Sequence, residues 1–251
     1  MAIQGREGKE AEGPYRSYYA SGEISAEGFY KNNKKDGVWR RWTGKGKIID
    51  SAFYRDGYIQ GLSLRWSPEG QVIDSLVFEE GGKGISRGYW PSGIPSQRGA
   101  YEKGKRTGNW VYYHKNGNRS QEVMFVEDSA VSFTCYDEQG NLQASDCYFE
   151  KEAEFRGGDG AWRNYLGKRL SSSPLPKDYL KGKVHGVVYA QFVVAPDGKL
   201  TEIKLLNKLH PELDKIVLNI LNTSPRWEPA IQYNRKVNAY RKQPVVFAQV
   251  K

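Results

Sequence analysis

Long apolar runs are missing from this sequence. No stretch of about 18 uninterrupted apolar residues occurs, so no helix of the chain is built to span a bilayer. Cysteine is scarce: Cys135 and Cys147 are too few for a disulfide framework and lack the spacing of a zinc site. The two flank one expected hairpin turn, and in-register pairing would set them several residues apart along the strands. That separation exceeds the roughly 7 Å between Cα atoms that a bridge tolerates, so the sequence predicts two free thiols. The histidines, His114, His185 and His210, fall in different expected elements without metal-ligand spacing, and each is expected to be structural or exposed. There is no Gly-x-Ser-x-Gly, no Cys/His pair and no phosphate loop. The run Glu79-Glu80-Gly81-Gly82-Lys83-Gly84 lacks the strand–loop–helix context of a Walker motif. No catalytic residue, metal site or cofactor is therefore expected. The N-terminus, MAIQGREGKEAEG, has no apolar core of the kind a signal peptide carries. The chain is either cytoplasmic or has had a targeting or anchor segment removed, and its first residues reveal neither.

Aliphatic residues are also few, with a hydrophobic fraction of 38%, but 13% of the chain is aromatic. Such a chain is too apolar in its rings to remain disordered. With 28 Gly, 17 Tyr and 7 Trp, the balance points to many short strands joined by tight turns. Charge is unevenly divided. Residues 1–150 carry 20 Lys+Arg against 20 Asp+Glu, whereas residues 151–251 carry 18 against 9, so the whole +9 lies in the last part. That asymmetry predicts two domains with different partners. A neutral first half disfavours nucleic acid, whose phosphates need a basic surface.

The first half is an array of repeats. An aromatic followed four residues later by glycine recurs as Tyr18/Gly22, Trp42/Gly46, Trp66/Gly70, Tyr89/Gly93, Tyr113/Gly117 and Tyr136/Gly140. A second aromatic column, Tyr30, Tyr54, Phe78, Tyr101, Phe125 and Tyr148, keeps the same register, as does a glycine column at Gly37, Gly61, Gly84 and Gly108. A unit of 23–24 residues accommodates two strands and two short connections. One turn is expected at Ser21-Gly22 and its equivalents, where glycine supplies positive φ. The other connection is expected to run through Asn32–Gly37, Arg55–Gly61 and Glu102–Gly108. The product is a long antiparallel meander of hairpins, each stabilised by its neighbours, with the aromatic columns as the hydrophobic face of the sheet. A stacking platform for sugars or bases is the sharper reading of those columns and the less favoured one.

The unit, in Tyr30 through Asp36-Gly37-Val38-Trp39 and again Tyr101 through Gly108-Asn109-Trp110, resembles the MORN repeat in its bacterial variant. The resemblance spans residues 13–150 as six units, the last of which departs from the pattern at Asp128 and Ser132 as a capping unit should. It implies a scaffold.

From Lys151 the periodicity stops. Asp159 is expected to cap a helix over Gly160–Leu170, with Trp162, Tyr165 and Leu166 at helical spacing. His185–Val194 reads as a buried strand, Pro196-Asp197-Gly198-Lys199 as a turn, and Leu200–Leu206 as a second, antiparallel strand. Leu213, Ile216, Val217, Ile220 and Leu221 give Pro211–Thr223 the apolar face of an amphipathic helix. Pro225 and Pro229 bracket its exit, and Lys236–Val250 reads as a third strand.

That order, with Phe155-x-Gly-Gly, Asp197-Gly198, Leu213-Asp214, Trp227-x-Pro229-Ala230 and Pro244-Val245-x-Phe247, resembles the TonB C-terminal domain over residues 155–251. Tyr233-Asn234-Arg235 stands where that family commonly has Asn-Gly. The expected fold is mainly β with an α+β C-terminal domain: a β-hairpin repeat meander followed by a two-helix, three-stranded antiparallel sheet. The resemblance implies a non-enzymatic periplasmic or cell-envelope protein. Its TonB-like domain would bind an extended segment of an outer-membrane TonB-dependent transporter, or of another envelope protein, by β-augmentation, as in energy transduction for transmembrane transport. Pro244 places the last strand at a sheet edge. Val237, Asn238, Ala239, Tyr240, Arg241, Lys242 and Gln243 are the expected pairing segment, with Arg235 and Lys236 as a charged flank; together with Arg241 and Lys242 these keep the edge charged, blunting self-aggregation and attracting an acidic partner segment. The alternative is a structural or peptidoglycan-associated module without energy transduction. A glycan-modifying enzyme ranks third.

Overall fold

The computed structural model describes residues 11–248. The chain divides into two compact units, one ending at Cys147 and the other beginning at Tyr148. Among the described residues the first unit is one antiparallel sheet of 12 strands in sequential order. Its first six strands are β1 (Gly13–Tyr18), β2 (Ile24–Lys31), β3 (Lys34–Trp42), β4 (Ile48–Arg55), β5 (Tyr58–Trp66) and β6 (Val72–Phe78). The rest are β7 (Gly84–Tyr89), β8 (Pro95–Glu102), β9 (Lys105–Tyr113), β10 (Arg119–Val126), β11 (Ser129–Tyr136) and β12 (Leu142–Gln143).

The two kinds of connection form for different reasons. At the first, Gly22, Gly70 and Gly117 take φ of 90°, 98° and 91°, closing turns in which Tyr19 N–H donates to Glu23 O (2.8 Å) and His114 N–H to Asn118 O (2.8 Å). At the second, Lys31 faces Lys34, Arg55 faces Tyr58 and Glu102 faces Lys105, leaving turns of two residues. Both central residues adopt positive φ, as in Asn32 (49°) and Asn33 (63°) or Asp56 (51°) and Gly57 (86°). That is the type I′ geometry that matches strand twist. These connections are thus tighter than the sequence suggested: Gly37, Gly61 and Gly108 lie inside β3, β5 and β9, at bulges where the pairing register shifts. In the last unit Asp128 takes φ of 70°, and its Oδ1 accepts from Arg106 N (3.0 Å) and Nε (3.1 Å). Those bonds tie down an αL residue where two earlier units use Gly57 and Gly104.

Packing on one face is organised by two tryptophans that lie against bare backbone. A Cβ built on Gly28 would meet the Trp39 ring at 2.2 Å, and one on Gly99 would meet the Trp110 ring at 2.0 Å. Each indole N–H then donates to the carbonyl one residue beyond its glycine: Trp39 to Phe29 (3.1 Å) and Trp110 to Ala100 (3.0 Å). The second aromatic column closes around them, Tyr30 at 4.9 Å from Trp39 and Tyr101 at 5.2 Å from Trp110, and Tyr15, opposite Gly28, stacks on Trp39 at 5.3 Å. Cross-strand neighbours Val38 and Phe53, then Leu62 and Val77, then Ile85 leave their side chains exposed on the opposite face.

Cys135 and Cys147 form a disulfide, with Cα atoms 5.6 Å apart, which corrects the expectation of free thiols. The premise that failed was straight in-register pairing. Cys135 faces Gln143, the last residue of β12, and Cys147 lies four residues further on. Asp146 takes φ of 53° and its carbonyl accepts from Gln143 Nε2 (3.1 Å), so the chain doubles back toward Cys135.

In the second unit β13 (Glu150–Lys151) precedes α1 (Gly158–Ser171) and α2 (Lys177–Leu180). Then follow β14 (Gly186–Val194), β15 (Leu200–Leu205), α3 (Pro211–Asn222), β16 (Ala230–Gln232), β17 (Arg235–Val237) and β18 (Ala239–Phe247). Two antiparallel sheets result, ordered β15-β14-β18 and β13-β16-β17. Three expectations change. The cap of α1 is Gly157 at φ 89°, with Asp159 inside the first turn. The third strand splits at Asn238 because Arg235–Val237 pairs with β16 in the other sheet, and its expected end at Val250 lies outside the described residues. The short helix α2 and the small sheet were not anticipated. The core gathers Val188, Phe192 and Val194 of β14, Leu213, Val217 and Leu221 of α3, and Phe155, Trp162 and Trp227.

Replacing Gly99 with Ala should cost about 2–4 kcal/mol, because the Trp110 ring must leave its seat; denaturant unfolding reads this directly. Reducing the Cys135–Cys147 bridge should cost about 2–4 kcal/mol, seen as a lower thermal midpoint in the presence of a thiol reductant.

Candidate peptide-binding edge

Among the described residues β18 is paired with β14 alone, so one of its edges is open. Which backbone groups face that edge follows from its neighbour. Tyr189 accepts a hydrogen bond from Leu206 N–H (2.7 Å) and donates its own N–H to Asn207 Oδ1 (2.7 Å). Both of its backbone groups therefore point to the β15 side, and Asn207 reinforces this with a bond from Nδ2 to Val187 O (2.8 Å). Tyr189 is thus a non-hydrogen-bonded partner of Pro244, the residue opposite it in β18. Pro244 accordingly turns its missing N–H outward, where the sheet loses nothing. By alternation, Tyr240, Lys242 and Val246 direct N–H and C=O to the open edge, while Ala239, Arg241, Gln243, Val245 and Phe247 bond to β14.

Side chains alternate as well. Val245 and Phe247 are buried toward the helices, while Tyr240 is 68% and Val246 61% exposed on the other face. Lys242 Nζ lies 4.8 Å from the Tyr189 ring centroid. Arg241 is paired with Glu152 at 3.6 Å. The flank expected at Arg235 and Lys236 lies in β17, opposite Gln232 and Ile231, and Val237 faces Ala230. The structure therefore brings Ala239, Tyr240, Arg241, Lys242 and Gln243 onto one edge strand, leaves Asn238 at the break, and places Val237 in the other sheet. Sequence reading did not single out Tyr189 or Asn207, whose only signal was an Asn directly after a strand. Of the histidines, His210 caps α3 by accepting from Glu212 N–H at Nδ1 (3.3 Å), and His114 Nε2 lies 2.9 Å from Tyr136 O.

The edge is positioned by contacts among residues far apart in sequence. The turn at Asp197-Gly198 docks on the backbone of Trp227: Trp227 N–H donates to Gly198 O (2.8 Å), and Arg226 Nη1 donates to Asp197 O (3.1 Å). Gly198 has φ of 82°, and a Cβ there would meet Trp227 O at 2.3 Å. The Trp227 ring, 3% exposed, then packs against Phe155, Trp162 and Phe192 at 5.5, 5.1 and 5.3 Å. The backbone N–H of Lys199 holds the Asp197 carboxyl below the usual range, with the charges of Lys199 and Arg226 adding to it.

Comparison with known families agrees with this architecture. Residues 173–248 match the Gram-negative bacterial TonB protein C-terminal family, and residues 11–32 and 106–127 match the MORN repeat variant. No curated protein matches the chain. The chain is a MORN repeat region fused to a TonB C-terminal domain. The match starts at residue 173, so Phe155-x-Gly-Gly and α1 precede it. Both families are protein-interaction domains, and the TonB match over residues 173–248 suggests a TonB-like envelope protein.

Gly198→Ala should destabilise the protein by roughly 2–4 kcal/mol, combining backbone strain with a clash against a main-chain oxygen; chemical denaturation measures it. A carboxyl with a depressed folded pKa contributes stability that is present above its unfolded value and lost as pH falls through the folded one. Asp197→Ala should therefore flatten the acid limb of a plot of thermal midpoint against pH.

Proposed function

We propose that this chain is a non-enzymatic periplasmic interaction protein. Its TonB-like unit captures an extended segment of an outer-membrane transporter by strand addition, and its repeat array serves as scaffold. The observation that carries this reading is the open edge of β18, where Tyr240 and Lys242 present consecutive outward N–H and C=O pairs. An incoming strand gains affinity from such main-chain bonds and specificity from the side chains beside them. Pro244 offers a carbonyl but no donor, so pairing runs through Tyr240 and Lys242 and is interrupted after them. Lys242 and the basic balance of residues 151–251, 18 Lys+Arg against 9 Asp+Glu, favour an acidic partner segment.

The test is a titration of the isotope-labelled full chain with TonB-box peptides of transporters from the same organism, followed by NMR. Amide shifts should be largest at Tyr240 and Lys242. Lys242→Pro removes an outward donor without removing a bond to β14 and should weaken binding at least about tenfold, while Lys242→Ala should stay within about threefold of the parent. Absence of shifts up to about millimolar peptide would sink the transporter reading and favour a structural envelope module. Unchanged binding by Lys242→Pro would move the site off this edge.

A further inference from the structure

The repeats can be compared with one another, and the middle of the array differs from its flanks. The places taken by Trp39 and Trp110 are taken by Ser63 in β5 and Ser86 in β7, each two residues beyond its column glycine. Their cross-strand partners change in step: where Gly28 and Gly99 make room for a ring, Ala52 faces Ser63 and Leu76 faces Ser86. Leu76 compensates at Ser86, which is only 1% exposed. Ser63 also faces Leu76, but on its β4 side the smaller Ala52 leaves space, and a notch of about 130 Å³ opens, bounded by Tyr54, Ile59, Ser63, Asp74 and Leu76. Tyr54 and Ile59 also border a wider depression that reaches the turns at Gly57 and Gly81.

Two further observations mark the same place. Adjacent turns along this edge are tied by backbone bonds from Asn33 to Ala11, Gly57 to Lys35, Gly104 to Gly82 and Asp128 to Arg106. Among the described residues no such bond joins the Glu79–Lys83 loop to Tyr58–Gln60, and the wider depression opens there. Asp74 lines the notch with Oδ2 on Arg65 (2.9 Å), but its Oδ1 is buried without a hydrogen-bond partner. Burial pushes the Asp74 carboxyl up against the opposing pulls of Arg65 and of the Ser75 backbone N–H. An unsatisfied buried acceptor favours a donor that can reach it.

We propose that the notch at Ser63 binds a small planar aromatic molecule carrying an N–H donor, of the indole class. The protein shows in its own flanking repeats what this position holds. A ring there is bordered by the second aromatic column, Tyr30 beside Trp39 and Tyr101 beside Trp110, and Tyr54 is the equivalent wall of the notch. In the flanks the indole N–H is satisfied by a main-chain carbonyl, whose counterpart here belongs to Phe53; across the notch, beside Arg65, Asp74 Oδ1 is the acceptor left without a partner, and a free ligand turns its N–H that way. At about 130 Å³ the notch is slightly smaller than the roughly 150 Å³ closed cavity that takes benzene, so it seats one ring of a bicyclic ligand and leaves the other at its mouth.

Indole itself is the probe, titrated into the labelled full chain. Saturable shifts are expected at Tyr54, Ser63 and Asp74, with Kd on the order of 1 mM. Indene, which has the shape without the N–H, should bind roughly tenfold more weakly. The double variant Ala52→Gly/Ser63→Trp rebuilds the flanking pair inside the notch and should abolish binding while raising the thermal midpoint. Ser63→Leu fills the notch by a different route and should abolish binding too. Absence of saturable shifts at about 10 mM indole overturns the proposal, as does undiminished binding by a folded variant with the notch filled. Equal affinity for indole and indene overturns the assignment of Asp74.

Discussion

A tryptophan residue pressed against a glycine that has no Cβ is the contact on which both units depend. Among the described residues it occurs three times. In the repeat sheet the rings of Trp39 and Trp110 lie on Gly28 and Gly99; in the second unit the backbone of Trp227 lies on Gly198. A meander of hairpins buries too little per strand to be stable one hairpin at a time. A ring lying flat across a strand gathers the aromatic columns of neighbouring units around itself and couples them. In the second unit the same device joins the hairpin of the sheet to the segment after α3, so that the Trp227 ring meets Phe155, Trp162 and Phe192.

Once that joint is made, the last strand is committed to a particular parity. Tyr189 directs its backbone to the β15 side, Pro244 faces outward, and Tyr240 and Lys242 are left as outward donors and acceptors. An open edge of this kind is a hazard for self-association. Here a lysine and a proline sit on it, which discourages indiscriminate pairing and leaves a short stretch that a chosen strand can still engage.

The array shows how repetition and function can diverge within one sheet. The flanking units keep the Gly–Trp pair, whereas the middle units exchange it for Ala52–Ser63 and Leu76–Ser86. Only the second exchange preserves the filled volume. Repeats stacked against nearest neighbours tolerate such a local defect, because stability is distributed over many interfaces.

Much of this was legible in the residues. The spacing of Tyr18/Gly22 and its equivalents, and the run of Leu213, Ile216, Val217, Ile220 and Leu221, announce hairpins and an amphipathic helix because local geometry is periodic. Pro244 announced an edge because proline cannot donate. The long-range failures were matters of path. Cys147 reaches Cys135 because Asp146 reverses the chain, and Asn238 breaks a strand because Val237 is bound to Ala230 in another sheet. Sequence by itself determined period, element type and the likeness of each part to its family, since these depend on neighbours a few residues apart. Only the tertiary structure decided which cysteines meet, which backbone donors face outward and which repeat has room for a ring. Those depend on register and on the volume left between residues distant in the chain.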